Sequence, residues 1–189
     1  LPLLRIRGRE ALPIVQGGMG VGVSAHHLAG SVAREGAVGT VSSVDLRRHH
    51  PDLMEATAKS RDKAAIDRAN LVALDREVKG ALRLAQGRGI VAINIMRAVS
   101  EYAACVRQSC ESGVHAIVVG AGLPLDLPDL TSNHPDAFHL EMHDRRFFVW
   151  EVTCGKLPAS LYQTFADWLD DGGAEADGVR FAFDRGDLQ

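Results

Sequence analysis

Four glycines follow the first apolar segment of the chain, in "PIVQGGMGVGVSAHH" at residues 13–27. Because glycine has no side chain, a flat ring or a phosphate can approach the main chain closely at such a segment. Two later groups suit the same purpose. Asn94 offers a donor and an acceptor inside an apolar strand, although an asparagine there is also typical of a turn, and Gly120-Ala121-Gly122 ends another apolar run. These residues indicate a site that binds a cofactor through backbone and amide groups.

Short apolar runs alternate with amphipathic segments, and together they would position these residues. The pattern predicts strands over 11–16, 37–43, 89–95 and 114–122, and helices over 25–35, 61–87 and 101–112. We expect Ser24 to cap the first helix and the charged residues of 61–79 to form a solvated face. Buried-type strands that alternate with helices indicate an α/β fold with a parallel sheet covered on both faces.

A doubly wound sheet is one architecture that would use the glycines. The segment "GVGVSA", residues 20–25, fits a relaxed G-x-G-x-x-A pattern at the start of a helix, where backbone N–H groups would hold a pyrophosphate. Asp45 lies where a ribose-binding acid belongs, near the end of the second strand. This alternative predicts an NAD(P)-binding domain.

A barrel is the other architecture, and its active site lies at the carboxyl ends of its strands. The four predicted strands end in residues that could line such a site. They are Gly18-Met19-Gly20, Ser42-Ser43, Asn94 and Gly120-Ala121-Gly122. On this interpretation the glycines let the backbone lie flat against a cofactor ring.

Four stretches together resemble successive strand ends of the nitronate monooxygenase (2-nitropropane dioxygenase) family. They are "PIVQGGMGVGVS", "GAVGTVSSVDL", "AINIM" and "GVHAIVVGAGLPLDLP", and the resemblance extends from about residue 2 to about residue 137. It implies a TIM barrel that binds FMN and oxidises alkyl nitronates with molecular oxygen. It also implies that Gly18, Met19 and Gly20 approach the flavin ring, that Asn94 contacts the ring or the ribityl chain, and that Gly120, Ala121 and Gly122 supply backbone.

The chain departs from the family in its second half. The family's "GGH"-type motif, which carries the catalytic histidine, does not occur, so the catalytic residues stay unknown. A full barrel takes about 250 residues, and residues 138–189 are too few for four more units of about 30 residues each. We therefore expect a TIM-barrel-like fold with about four βα units and impaired activity. Its exposed edge would favour association of two copies. An alternative is a truncated or fused remnant that associates with another chain without catalysis.

Residues 138–189 differ in composition from the rest of the chain. Tyr102 is the only aromatic residue of 1–137, whereas 138–189 hold the other nine and carry an acidic excess. We interpret 1–137 as a flavin-barrel-like segment and 138–189 as an appended α+β tail of different origin. Within the tail, "DRRFFVWEV…GKLPASLYQTFADWLDDGGAEA" (144–176) resembles a short stretch of phage and plasmid primase–helicase proteins. Its acidic balance argues against nucleic-acid binding.

The remaining candidate side chains favour no metal site. Adjacent histidines diverge on a regular element, so His26-His27 and His49-His50 are not expected to share an ion. His139 and His143 have no evident third ligand. Cys105 and Cys110 are predicted to be buried as small hydrophobic residues.

Composition narrows the class of protein further. A net charge of −3 predicts no general affinity for nucleic acid, and no apolar run approaches the roughly 18 residues of a membrane span. Three cysteines without a CxxC motif are typical of a reducing cytoplasm. The expected partner is a small-molecule substrate, a nitronate or a related compound.

Overall fold

A computed structural model describes residues 3–6, 8–122 and 124–134, and the backbone of 138–141. A two-stranded antiparallel hairpin, β1 (Leu4–Ile6) and β2 (Arg9–Ala11), precedes a five-stranded sheet. The strands of the larger sheet are β3 (Val15–Gln16), β4 (Val38–Ser42), β5 (Ile90–Met96), β6 (Ala116–Gly120) and β7 (Phe138–Glu141). All of its neighbouring pairs are parallel, and the strands lie side by side in chain order.

The helices connect these strands. They are α1 (His26–Arg34), a 3-10 helix (Leu46–His49), α2 (Pro51–Thr57), α3 (Lys63–Ala85), α4 (Tyr102–Glu111) and α5 (Leu127–Leu130). Pro51 opens α2, where its missing N–H group costs no helical hydrogen bond. The α/β class, the parallel sheet and the three longer helices are confirmed, with boundaries within two residues of those predicted for the helices.

Two apolar cores cover the two faces of the sheet. Alternate strand residues such as Val41, Ile93 and Ile117 join a core that α1, α3 and α4 complete. The residues between them point to the opposite face. There Ala92 and Val118 pack against the hairpin, in a second core that contains no helical residue. Within the described residues, helices therefore cover one face of the sheet and the hairpin covers the other.

Small residues set the distance between the helices and the sheet. A Cβ atom at Gly39 of β4 would overlap the backbone of Ala29 in α1. One at Gly30 would lie 2.7 Å from the Cβ atom of Leu84 in α3. Helix α1 therefore packs closely against both β4 and α3, at positions where no larger side chain fits.

The hairpin and β7 were not predicted from the sequence. Strand β7 pairs with β6 and comes from the first residues of the predicted tail, so the described sheet has five strands instead of four. The five strands do not close on themselves, since β3 and β7 are the two edges. The junction near residue 137 and the proposed tail lie mostly outside the described residues and stay predictions. None of the helices in the described part of the chain has the length and apolarity needed to cross a bilayer.

Candidate functional site

The carboxyl ends of β4, β5 and β6 bring several predicted site residues to one face of the sheet. Ser42 is paired in register with Asn94, and Met96 with Gly120. Because side chains alternate along a strand, Thr40, Ser42 and Asn94 point to the face that the hairpin covers farther down, and Gly120 occupies an equivalent position. The structure thus places Asn94 and Gly120 on adjacent strands and on the same face.

The glycine loop after β3 folds over this face. A Cβ atom at Gly18 would lie 2.5 Å from the Cβ atom of Asn94 and 3.5 Å from Cγ2 of Thr40. One at Gly20 would lie 3.2 Å from Oγ of Ser42. Contacts under 3.0 Å are too close for a real Cβ atom, so Gly18 is required by its packing on Asn94. Protein atoms therefore fill the space that a side chain at Gly18 would take.

Ser24 holds both ends of the glycine loop together. Its side chain is fully buried, and its Oγ atom accepts a hydrogen bond from the backbone N–H of Met19 at 2.9 Å. The backbone N–H of Ser24 donates to the Met19 carbonyl at 3.0 Å. Ser24 was predicted to cap α1, and this prediction is wrong: the residue before the helix is Ala25, which makes no side-chain cap. The serine hydroxyl is used to close the loop instead.

Gln16 joins the loop to the neighbouring strand. Its side-chain oxygen accepts from the backbone N–H of Thr40 at 3.0 Å, and its amide nitrogen donates to Oγ of Ser24 at 2.9 Å. An amide that both donates and accepts can satisfy two backbone or side-chain partners at once. Sequence reasoning missed Gln16 because a single glutamine at a strand end carries no spacing signal.

The fourth predicted strand end is more open. Among the described residues, a Cβ atom at Gly120 would meet no atom within 4 Å. Ala121 and Gly122 follow with positive φ angles of 59° and 134°, which turn the chain away from the strand. The Gly120 carbonyl accepts from the backbone N–H of Arg97 at 2.7 Å. Among the predicted glycine positions, Gly120 is the one whose missing side chain leaves space that no described residue fills.

Arg97 stands beside this open position. Its guanidinium lies 4.6 Å from the centre of the Tyr102 ring, and its Nε atom lies 3.4 Å from a carboxylate oxygen of Asp126. The stem of Arg97 limits the space at Gly122, where a Cβ atom would lie 3.1 Å from Cγ. These contacts connect the loop after β5 with the loop after β6.

Apolar side chains project from the glycine loop. Met19, Val21 and Val23 are 48%, 46% and 59% exposed. Met19 was predicted to contact a flavin ring, and the structure leaves its side chain available for such a contact. An exposed apolar group beside polar strand ends is typical of a site that takes a partly apolar ligand.

The residues at the strand ends fit FMN in part. A ring could approach the sheet beside Gly120, where there is free space, and Asn94 has a side-chain amide on the same face. Oγ1 of Thr40 is buried and has no hydrogen-bond partner among the residues that the structure describes. Among the described residues, no group of three or more His, Cys, Asp or Glu side chains is arranged to hold a metal ion. The cation beside Gly120, Arg97, is paired with the carboxylate of Asp126.

Asp45, the predicted ribose-binding acid of the doubly wound alternative, is engaged elsewhere. Its carboxylate lies 3.0 Å from Nε of Arg47 and also pairs with Arg48. A carboxylate held by two guanidinium groups has little capacity left for a ribose hydroxyl.

Glu77 is a buried acid that the sequence interpretation missed. It was expected on the solvated face of α3, but its side chain is only 2% exposed, and that expectation is wrong for this residue. The helical pattern does contain the signal, since the buried residues Leu74, Val78 and Ala81 surround position 77 at helical spacing. Cys105 and Cys110 are buried, as predicted. His139 and His143 lie outside the residues whose side chains are described.

Comparison with models of known protein families finds no family that matches the chain. Comparison with curated proteins finds none that is similar.

Proposed function

We propose that residues 1–137 form part of a flavin barrel of the nitronate monooxygenase type, with its FMN at the carboxyl ends of the strands. The observation that carries the proposal is the space beside Gly120 that no described residue fills, on the strand next to Asn94 and on the same face. When bound, FMN would take electrons from an alkyl nitronate and pass them to molecular oxygen. The role of the chain is to bind and orient the ring.

The order of the strands supports a barrel wall. A doubly wound sheet reverses its strand order and has helices on both faces, whereas barrel strands follow chain order and have helices outside. Here the strands follow chain order and α1, α3 and α4 share the core of one face. The hairpin would then close the amino-terminal end of the barrel interior.

Each site residue has a distinct role in this proposal. Gly120 admits the ring, and Ala121 and Gly122 turn the backbone so that it borders the ring. The amide of Asn94 would hydrogen-bond a polar edge of the ring or the ribityl chain. Met19 would cover an apolar part of the ring, while Gly18 and Gly20 bring the loop down onto Asn94 and Ser42. The resemblance assigns the phosphate site and the catalytic histidine to the other half of a full barrel, so we expect weak FMN binding and impaired turnover.

The test is the visible absorption spectrum of the purified protein before and after excess FMN and desalting. Retained flavin absorbance supports the proposal, and nitronate-dependent oxygen uptake is then measured. A protein that stays colourless after this treatment overturns it. Gly120→Ala places a methyl group in the free space and should lower FMN retention without unfolding the chain. Ser31→Ala, an exposed change in α1, is the matched control. If Gly120→Ala retains as much FMN as Ser31→Ala does, a flavin ring beside Gly120 is excluded.

An association role without catalysis is the second candidate. Strand β3 pairs only with β4 among the described strands, and next to its free side Ile14 and Val15 are 55% and 45% exposed. An apolar open edge of this kind promotes pairing with another chain. If a second copy covers this edge, the variant Val15→Lys should shift the sedimentation coefficient toward that of the monomer. Unchanged sedimentation of Val15→Lys would contradict the role of this edge.

The dinucleotide-binding alternative has less support, because Asp45 is paired with two arginines. It predicts that NAD, and not FMN, protects residues 20–25 from proteolysis. Protection by FMN alone would exclude it.

A further inference from the structure

One histidine from each of two pairs that lie far apart in the sequence, His26 and His50, contacts the same buried carboxylate. His26 begins α1 directly after the glycine loop, and His50 lies just before α2. Oε2 of Glu77 accepts from both the backbone N–H and Nδ1 of His26, each at 2.7 Å. Oε1 of Glu77 lies 3.1 Å from Nε2 of His50, close enough for an ion pair, although the angle falls short of a hydrogen bond. One acid on α3 therefore contacts the segments that follow β3 and β4.

Glu77 keeps its charge in this position. Burial alone would raise the pKa of its carboxyl, but the backbone N–H and the imidazole of His26, together with the charge of His50, lower it below its usual value. An ionised carboxylate can only accept hydrogen bonds. Nδ1 of His26 must therefore carry the proton of this contact.

Two glycines make room for the histidine rings. A Cβ atom at Gly80 of α3 would lie 2.9 Å from Cγ of His26, so the ring of His26 rests directly on the helix. A Cβ atom at Gly22 would overlap the ring of His49, and Gly22 has a φ angle of +71°. One histidine of the second segment thus packs on the glycine loop while its neighbour reaches Glu77. The segments 17–26 and 43–50 are interlocked by these contacts.

We infer that Glu77 is a positioning residue for the strand-end site, because it fixes the glycine loop and the 43–50 segment relative to each other. Its effect on cofactor binding rests on the proposed function. The connection between the two segments is a property of the chain itself, and it can be measured without a ligand. Glu77 acts through the two side chains that it contacts, His26 and His50.

The test is hydrogen exchange of the full chain without flavin, comparing Glu77→Gln with Asp67→Asn. Asp67 also lies on α3, and its i,i+4 partner is the exposed Lys63, so Asp67→Asn is the matched change from acid to amide. Loss of one charged hydrogen bond predicts about tenfold faster exchange. We expect this faster exchange in both segments, 17–26 and 43–50, of Glu77→Gln. We expect it in neither segment of Asp67→Asn. Unchanged exchange in both segments of Glu77→Gln overturns the inference.

Two further measurements separate positioning from general stability. The imidazole nitrogen shifts of His26 should show Nδ1 protonated in the original chain and a mixture of tautomers in Glu77→Gln. His50→Gln should speed exchange of 43–50 much more than that of 17–26, and it serves in place of Glu77→Gln if that variant does not fold. If His50→Gln speeds hydrogen exchange of α5 as much as that of 43–50, the variant destabilises the chain in general, and the inference is overturned. A chain that never binds FMN would overturn the proposed function but not these exchange results.

Discussion

Gly18 lies against Asn94, 76 positions later in the chain, so closely that a methyl group at Gly18 would stand 2.5 Å from the Asn94 Cβ atom. The contact joins the loop after β3 to the end of β5 across the intervening strand β4. It explains why a glycine is needed at residue 18 without reference to any ligand. At Gly120, in contrast, the same methyl group would meet no atom of the residues that the structure describes, so the two glycines can be separated by experiment.

Gly18→Ala is expected to destabilise the chain, whereas Gly120→Ala is not. Overpacking of a close contact costs about 1–3 kcal/mol, and Asn94 cannot move without disturbing β5. Urea unfolding followed by circular dichroism measures the free energy of unfolding of both variants. Equal stability of Gly18→Ala and the original chain would contradict the packing of the loop on Asn94.

Ser24→Ala is expected to lower the free energy of unfolding by about 1–3 kcal/mol, because it leaves the side-chain amide of Gln16 and the partly buried N–H of Met19 without their shared acceptor. Ser31→Ala in the neighbouring helix removes a hydroxyl from an exposed position and is the control. Thermal unfolding of the two variants provides the comparison. A Ser24→Ala variant as stable as Ser31→Ala would show that the hydroxyl does not close the glycine loop.

His115 is expected to make the chain less stable in mild acid. Burial is the main cause, and the positive charge of Arg9 a smaller one, of the shift that lowers the pKa of His115 from 6.5 to about 4. Nδ1 of His115 accepts a hydrogen bond from the backbone N–H of Val91 at 3.1 Å. The unfolded chain therefore binds this proton more readily than the folded one. The contribution of His115 is complete above pH 6.5 and declines as the pH falls toward about 4. Proton NMR titration of His115 measures the value directly, and His115→Gln should flatten the acid side of the stability profile. A titration near 6.5 would disprove the prediction.

The thiols of Cys105 and Cys110 are expected to react with a disulfide reagent only after unfolding. Burial, with the charges of Glu101 and Asp67, raises the pKa of Cys105 to about 12, and the thiolate is the reactive form. The experiment uses Cys154→Ser, so that these two thiols are the only ones present. Absorbance of the released reagent is followed with and without denaturant. Rapid reaction of the native chain would show that the helix α4 is not packed as described.

Much of the fold followed from local patterns. The runs at 38–42, 90–96 and 116–120 are apolar and short, and the helix at 63–85 has an apolar stripe that ends at a glycine, so these elements were predicted nearly as observed. The hairpin β1–β2 was missed because strands of three residues have too few positions for a periodic signal. The helix α2 was missed because a proline at its first position is equally typical of an irregular connection.

The candidate site was predictable where a residue type was itself unusual. Asn94 inside an apolar strand and the glycines after two strands were identified in this way, and the structure brings Asn94, Gly18 and Gly120 to one end of the sheet. Their role with FMN stays a prediction. Gln16 and the loop-closing role of Ser24 could not be identified, because a single glutamine or serine has many uses and its partners lie on other elements.

The sequence by itself determined the alternation of strands and helices, because burial of one helix face or of a whole strand leaves a periodic record in neighbouring residues. Only the tertiary structure decided which distant groups meet. Glu77 lies 51 positions after His26 and 27 after His50, and nothing in local spacing relates them. The contact exists because α1 packs between β4 and α3, where Gly30, Gly39 and Gly80 allow close approach. Three-dimensional packing brings His26 and His50, two partly buried histidines, to one buried helical glutamate.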